Sequence, residues 1–196
     1  PIKYSKNNLI DSLKLINLCV ENKINKFIFS SSAAVYGNPK YLPIDEKHSL
    51  NPINYYGFTK LLIENQLMWY NQLKGIKIAC LRYFNAAGYD INSQITMKEK
   101  NPQNLIPIVM ECAAGLRDKL EIFGNDYNTP DGTCLRDYIH VNDLAAAHLK
   151  AIEKLNDYKQ IFTNLATGKS HSVLDVINKT INISKKKINY EIVRRR

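Results

Sequence analysis

The order of elements limits this fold more than any single residue does. The run KFIFSSS (26–32) is short, apolar at its start and closed by three hydroxyl residues. A loop rich in Pro and Asn (38–54) leads into a helix-length stretch from about Tyr55 to Leu73, and Gly75 stops it. A second apolar run, IKIACLRYF, follows at once and turns loop-like after Phe84. Apolar strands alternating with a helix predict a parallel sheet covered on both faces. Leu9, Leu13, Ile16 and Val20 recur at helical spacing and predict a further helix over 8–22.

From Tyr89 the pattern loosens. Residues 105–116 read as a helix, LEIFG as a short strand, and NDYNTPDGTC as a polar, turn-rich loop. The stretch DYIHVNDLAAAHLKAIEKL predicts a long helix with Asp143 as its N-cap. QIFTNLATG and INYEIV read as late strands on either side of a helix at 172–182.

Bulk properties exclude several classes. Apolar residues make up 45% of the 196, which suits a globular chain rather than a disordered one. No apolar run is long enough to span a bilayer, and no charged-then-apolar leader is apparent, so no membrane partner is expected. The net charge of +9 owes much to two clusters, Lys185–Lys187 and Arg194–Arg196, without interleaved stacking aromatics, so no nucleic-acid partner is expected. The four cysteines form no C-x-x-C pair; Cys19, Cys80 and Cys112 sit among apolar neighbours and read as buried free thiols of a reducing, cytoplasmic compartment. The four histidines also lack ligand spacing, so no metal is expected.

Chemistry collects where the strands end, because ligands of open parallel sheets bind beyond the carboxyl ends. Ser30, Ser31 and Ser32 close the first strand, Tyr83, Phe84 and Asn85 the second, and the helix at Tyr55 starts on the same rim. Side chains four apart on a helix share a face, whereas five apart diverge by roughly 140°. Tyr56 rather than Tyr55 is therefore the partner of Lys60. Half-ionising a phenol of pKa about 10 at neutral pH needs roughly 4 kcal/mol. One ammonium at about 4 Å supplies ~4 kcal/mol at an effective dielectric near 20. Tyr56 is thus expected to serve as a base with its pKa lowered by Lys60, more comfortably so beside a cationic cofactor ring. A Y-x-x-x-K match alone is common by chance; a half-buried aromatic and a surface lysine would give it equally.

The segments FIFSSSAAVYG, YYGFTK, LRYFNAAG, NLIP, IFGNDYNTPDGTCLRDYIHVNDLA and NLATG, in this order over essentially the whole chain, resemble the UDP-glucose 4-epimerase family of extended short-chain dehydrogenases/reductases. The resemblance implies an α/β fold: part of a Rossmann-like doubly wound parallel sheet (1–88) plus a smaller α/β domain for the UDP-sugar (89–196), with about 140–170 packing back on the first. It implies NAD as cofactor, a UDP-sugar as substrate and a homodimer. Tyr56 would be the general base toward the sugar 4-hydroxyl, Ser32 would assist it, and Lys60 would hold the nicotinamide ribose. Asn7, Ser30, Ser31 and Tyr83 would contact the cofactor with Tyr56 and Lys60. Ser32, Tyr56, Phe84, Asn85, Asn104 and Leu105 would line the sugar-nucleotide pocket, Phe123 would lie near the uracil, and Arg136 and Arg196 would meet the diphosphate. Singly, each has a plain structural alternative: caps for Asn7 and Asn104, a core role for Phe123, an acidic partner for Arg136.

Two relatives of that activity remain distinguishable. Dehydratases of the same superfamily need an adjacent Asp-Glu after the strand-end hydroxyl, and Ala33-Ala34 stand there instead. A non-catalytic sugar-nucleotide-binding module is the other alternative. No G-x-G-x-x-G occurs; Gly37, Gly57 and Gly75 are isolated. The 196 residues alone are therefore expected to read as an interior fragment that does not retain NAD. Assayed by itself, this polypeptide should fail to interconvert UDP-glucose and UDP-galactose; a fair rate would overturn that expectation.

Overall fold

A computed structural model describes residues 1–96 and 99–195; Arg196, the second expected diphosphate arginine, lies outside the described residues. The chain begins with α1 (Ile2–Tyr4), a π-helical segment (Ser5–Ile10) and α2 (Asp11–Glu21). Helix thus begins at Ile2 rather than at residue 8, because the polar Ser5–Asn8 stretch hides the periodicity. β1 (Lys26–Ser32) ends where the Ser32 hydroxyl accepts from the Ala34 amide at 3.2 Å, opening a short 3₁₀ turn, Ala33–Val35. α3 (Tyr55–Lys74) starts on Asn54, whose side chain accepts from the Gly57 amide at 2.8 Å, and ends at Gly75 with φ 71°.

There follow β2 (Lys77–Tyr83), β3 (Asn85–Ala87), α4 (Leu105–Ala113), β4 (Leu120–Phe123), β5 (Leu135–His140), α5 (Val141–Lys154), β6 (Gln160–Leu165), β7 (Ser170–Ser172), α6 (Val173–Ser184) and β8 (Tyr190–Val193). Strands β3, β5 and β7 escape the sequence reading. Two are only three residues long, and β5 reads Leu-Arg-Asp-Tyr-Ile-His, too polar to stand out. Asp143 is not the cap of α5 but lies inside its first turn, where a carboxylate suits the positive end of the helix.

The described residues divide into two compact units. The first comprises Pro1–Phe84 with Asn142–Ala166. Its sheet runs β1-β2-β6, all parallel, with Ser32 level with Tyr83 and Tyr83 level with Leu165. β2 is central, so both of its faces are covered. Ile78 and Cys80 join Ile16 of α2 and Ile63 and Leu67 of α3; Ala79 and Leu81 join Ala151 of α5 and Leu155. Each large aliphatic so enclosed contributes about 1.5–3 kcal/mol. Cys80 is buried as expected, but Cys19 is half-buried, one position off the inward stripe of α2.

The second unit comprises Asn85–Val141 with the residues from Thr167 onward. β3 pairs parallel and β7 antiparallel with β5, and β4 pairs parallel with β8. α4 and α6 cover the β4–β8 pair through Val109, Cys112, Leu120, Ile122, Ile177 and Ile188. Ser172 and Asp175 form a reciprocal capping box at the start of α6.

Gly57 lets α3 approach the turn after β1. A Cβ there would lie 2.4 Å from the Ala34 carbonyl oxygen and 2.9 Å from its carbon. Gly57→Ala, which in an open helix would gain roughly 1 kcal/mol, is expected instead to cost about 1–3 kcal/mol through overpacking. Urea unfolding checks the sign, and a stabilised variant would contradict the close approach.

Candidate active site

The Tyr56 phenol sits at the start of α3, half-buried, with the Ser32 hydroxyl hydrogen-bonded to it. The Tyr4 ring packs beside it at a centroid distance of 5.8 Å. Tyr55 points elsewhere: its hydroxyl lies 2.7 Å from Ser5 Oγ and its ring is exposed. One turn along, Lys60 Nζ donates to the Ser30 carbonyl at 2.8 Å and lies over the rings of Phe29 (4.9 Å) and Tyr56 (5.6 Å). Ser32, Tyr56 and Lys60 thus converge at the carboxyl end of β1.

The electrostatics correct one expectation. The Tyr56 pKa is raised, not lowered. Burial is the largest cause, the Ser32 hydrogen bond works against it, and Tyr83 and Tyr4 add to the rise. The Lys60 ammonium is turned onto the Ser30 carbonyl. Burial also lowers the pKa of Lys60.

Ser30 and Ser31 diverge, as successive strand residues must. Ser30 Oγ lies 3.4 Å from His148 Nε2, while His148 Nδ1 is 2.7 Å from the Leu144 carbonyl. A carbonyl only accepts, so Nδ1 carries a proton, and in a neutral ring Nε2 is then the acceptor for Ser30. Ser31 is 1% exposed and its hydroxyl donates to Glu64 Oε1 at 2.5 Å, so a cofactor contact by Ser31 would have to use its backbone. Tyr83 ends β2, half-buried, 6.3 Å ring to ring from His148, and Phe84 follows it half-buried. Asn7 lies exposed within the π-helical segment and caps nothing; its neighbour Asn8 donates to Thr59 Oγ1 at 3.1 Å.

In the second unit, Asn85 Nδ2 donates to the Asp137 carbonyl at 2.9 Å, leaving its side-chain carbonyl uncommitted among the described bonds. Asn104 precedes α4 without a side-chain cap, and Leu105, the first residue of that helix, packs on the core under it. Phe123 closes β4, half-buried. Arg136 is exposed on β5 and donates to the Leu135 carbonyl at 2.7 Å rather than to a carboxylate.

Several residues around Tyr56 and Lys60 escape the sequence reading: His148, Tyr36, and the buried pair Glu64–Arg82. Arg82 is the one charged position in the interior of the run IACLRYF, and Glu64 stands four residues past Lys60. Both signals were available in the pattern.

A profile of the NAD dependent epimerase/dehydratase family matches residues 1–165. UDP-glucose 4-epimerase of Halalkalibacterium halodurans is 45% identical over 197 residues, covering 100% of this chain and 59% of that protein. The crystal structure of UDP-glucose 4-epimerase from Brucella ovis in complex with NAD superposes with a TM-score of 0.95 at 42% identity, over 100% of this chain and 61% of that one. The enzyme from Bifidobacterium longum, in complex with NAD+ and UDP, gives 0.94 at 39% identity, over 100% and 59%. The chain therefore spans about three-fifths of the length of the relatives it matches.

Burial raises the phenols of Tyr36, Tyr56 and Tyr138 above the ordinary value near 10. Their contribution to stability is complete below the unfolded pKa and is lost as pH rises through the folded values. Alkaline absorbance titration should show a late-ionising group of phenols, and Tyr56→Phe should remove one of them. An unchanged late amplitude in that variant would place the Tyr56 phenol in ordinary solvent.

Proposed function

The chain belongs to the NAD dependent epimerase/dehydratase family, and from that premise we propose that it is the greater part of a UDP-glucose 4-epimerase, interconverting UDP-glucose and UDP-galactose at C4 through a 4-keto sugar. The observation that carries this reading is the convergence of Ser32 and Lys60 on Tyr56 at the end of β1. The likeness over the full chain to epimerases solved with NAD supports it. Ala33 and Ala34 follow Ser32 where a dehydratase needs acids, which favours epimerisation over loss of water.

The donors near Tyr56 suit a dinucleotide. An ammonium has three N–H donors; the Ser30 carbonyl takes one from Lys60, and the others fit ribose hydroxyls. Tyr83 ends its strand level with Ser32. NAD, when bound, would supply the acceptor and donor of the C4 hydride and, when oxidised, a positively charged ring. Tyr56 takes the proton of the 4-hydroxyl, and Ser32 holds both that oxygen and the phenol in line. Lys60 orients the ribose and stabilises the phenolate once the proton has moved. The same two oxygens return the proton after the ketone presents its other face.

Asn85, Asn104, Leu105, Phe123 and Arg136 remain our proposed contacts to the sugar nucleotide, and Phe84 is a further one. Arginine in the diphosphate role retains the keto intermediate while it turns. We infer a homodimer in the full-length protein; Phe58, Met68 and Trp69 leave apolar surface exposed on α3 for such pairing. No helix among the described residues is long and apolar enough to cross a membrane, and we assign the protein to the cytoplasm.

Full-length protein given UDP-glucose and NAD+ is expected to form UDP-galactose. Tyr56→Phe should lower kcat by about 10²–10⁴-fold with KM little changed. Absence of interconversion, or a Tyr56→Phe enzyme of undiminished rate, would defeat the proposal.

A further inference from the structure

Tyr56, Lys60 and Glu64 occupy successive i, i+4, i+8 positions on α3, each step turning about 40° around the helix. Each meets one residue of the β1 terminus. Tyr56 meets the Ser32 hydroxyl, Lys60 the Ser30 carbonyl at 2.8 Å, and Glu64 the Ser31 hydroxyl at 2.5 Å. The third contact differs from the others in being fully enclosed, with Glu64 and Ser31 each 1% exposed.

Glu64 is itself gripped. Arg82 of β2 donates Nε to Oε1 at 2.9 Å and Nη2 to Oε2 at 2.6 Å, a two-pronged arrangement that fixes the carboxylate plane. The remaining guanidinium edge donates to Tyr36 OH at 3.0 Å, and Tyr36 donates to Asn164 Oδ1 of β6 at 2.7 Å. Asn164 in turn donates from its backbone to Glu46 at 2.7 Å and from its side chain to the Ile44 carbonyl at 3.1 Å. The network ties all three strand ends and the loop after β1 to one point on α3. Apolar burial is non-directional, whereas a two-pronged charge pair fixes orientation as well as distance.

We propose that Glu64, locked by Arg82, is a positioning residue for the reaction, fixing the register of α3 against the end of β1 so that Tyr56 and Lys60 meet Ser32 and Ser30. The proposal rests on the epimerase reading of Tyr56. A buried ion pair often adds little net stability over an apolar pair of similar volume, so stability alone does not account for its presence here. Its geometric consequence is the one its neighbours use: Lys60 meets only a neutral carbonyl, so among the described residues Glu64 makes the stripe's one charge-to-charge contact.

The test uses the full-length protein in two variants. Glu64→Leu with Arg82→Met removes both charges at similar volume; Glu64→Asp keeps the charge and shortens its reach. For each folded variant, kcat on UDP-glucose should fall about tenfold to a hundredfold, as displacement by a fraction of an ångström to an ångström does, with KM within about twofold. The Tyr56 resonance in spectra of ¹³Cζ-labelled tyrosine, assigned by its loss in Tyr56→Phe, should shift. Should the double variant not fold, Glu64→Asp decides. A folded variant with parental kcat and an unmoved Tyr56 resonance would overturn the proposal. So would a fall in kcat with that resonance in place, since the effect would then reach the reaction by another route. If the parent enzyme itself is inactive, the function assigned above fails, while the resonance still decides the role of Glu64.

Discussion

Parallel pairing of β1 with β2 is the constraint from which the arrangement at Tyr56 follows. It obliges the intervening chain to cross back over the sheet as α3, so the start of that helix lies at the same rim as the strand ends. Ser32 and Tyr83 end level with each other because the register is continuous from Lys26 with Lys77 onward. With β6 in register on the other side of β2, three strand ends, at Ser32, Tyr83 and Leu165, lie level along one edge. The short 3₁₀ turn after Ser32 and the missing Cβ of Gly57 then let helix and strand end approach closely.

Among the described residues, charge is fully buried at one place, the Glu64–Arg82 pair, in the apolar layer beneath α3. Ile78 and Cys80 point into it, and the next residue of that parity is Arg82. Solvation lost by the guanidinium is offset by Glu64 and Tyr36, which together raise its pKa further above the usual range despite burial. Removing either partner alone would strand a buried charge at a cost of about 3–5 kcal/mol. The pair therefore couples the integrity of the fold to the geometry of its edge, which a purely aliphatic layer would not do.

The long, strongly patterned elements were legible in the sequence: β1, α3, β2, α5 and β6 have apolar runs or stripes set by a covered sheet. So was Tyr56 rather than Tyr55, since helical angle alone separates them. Strands β3, β5 and β7 were not, because their pairing is between backbones and their side chains carry no period. The direction taken by the Lys60 ammonium was not legible either. Spacing puts it near Tyr56, but the Ser30 carbonyl that captures it belongs to a strand thirty positions away in the chain. Glu64 and Arg82 were visible only as oddities, a charge inside each of two apolar stretches, whose pairing needs the sheet register to be known.

Burial has opposite effects on what a base needs and what it gets. Enclosure protects the reacting oxygen from water, yet it favours the protonated phenol of Tyr56 and disfavours the charged amine of Lys60. Ser32 can stabilise a phenolate by donating to it, but one neutral hydrogen bond does not outweigh desolvation here. The side chains of this unit therefore hold the proton on Tyr56. On the epimerase reading, its loss is favoured by positive charge near the phenol, from the Lys60 ammonium and from the ring of an oxidised cofactor. Proton abstraction is then easier with an oxidised cofactor in place. The coupling is electrostatic, adding burial to the ordinary reluctance of a phenol to ionise at neutral pH, and requires no moving part in the protein.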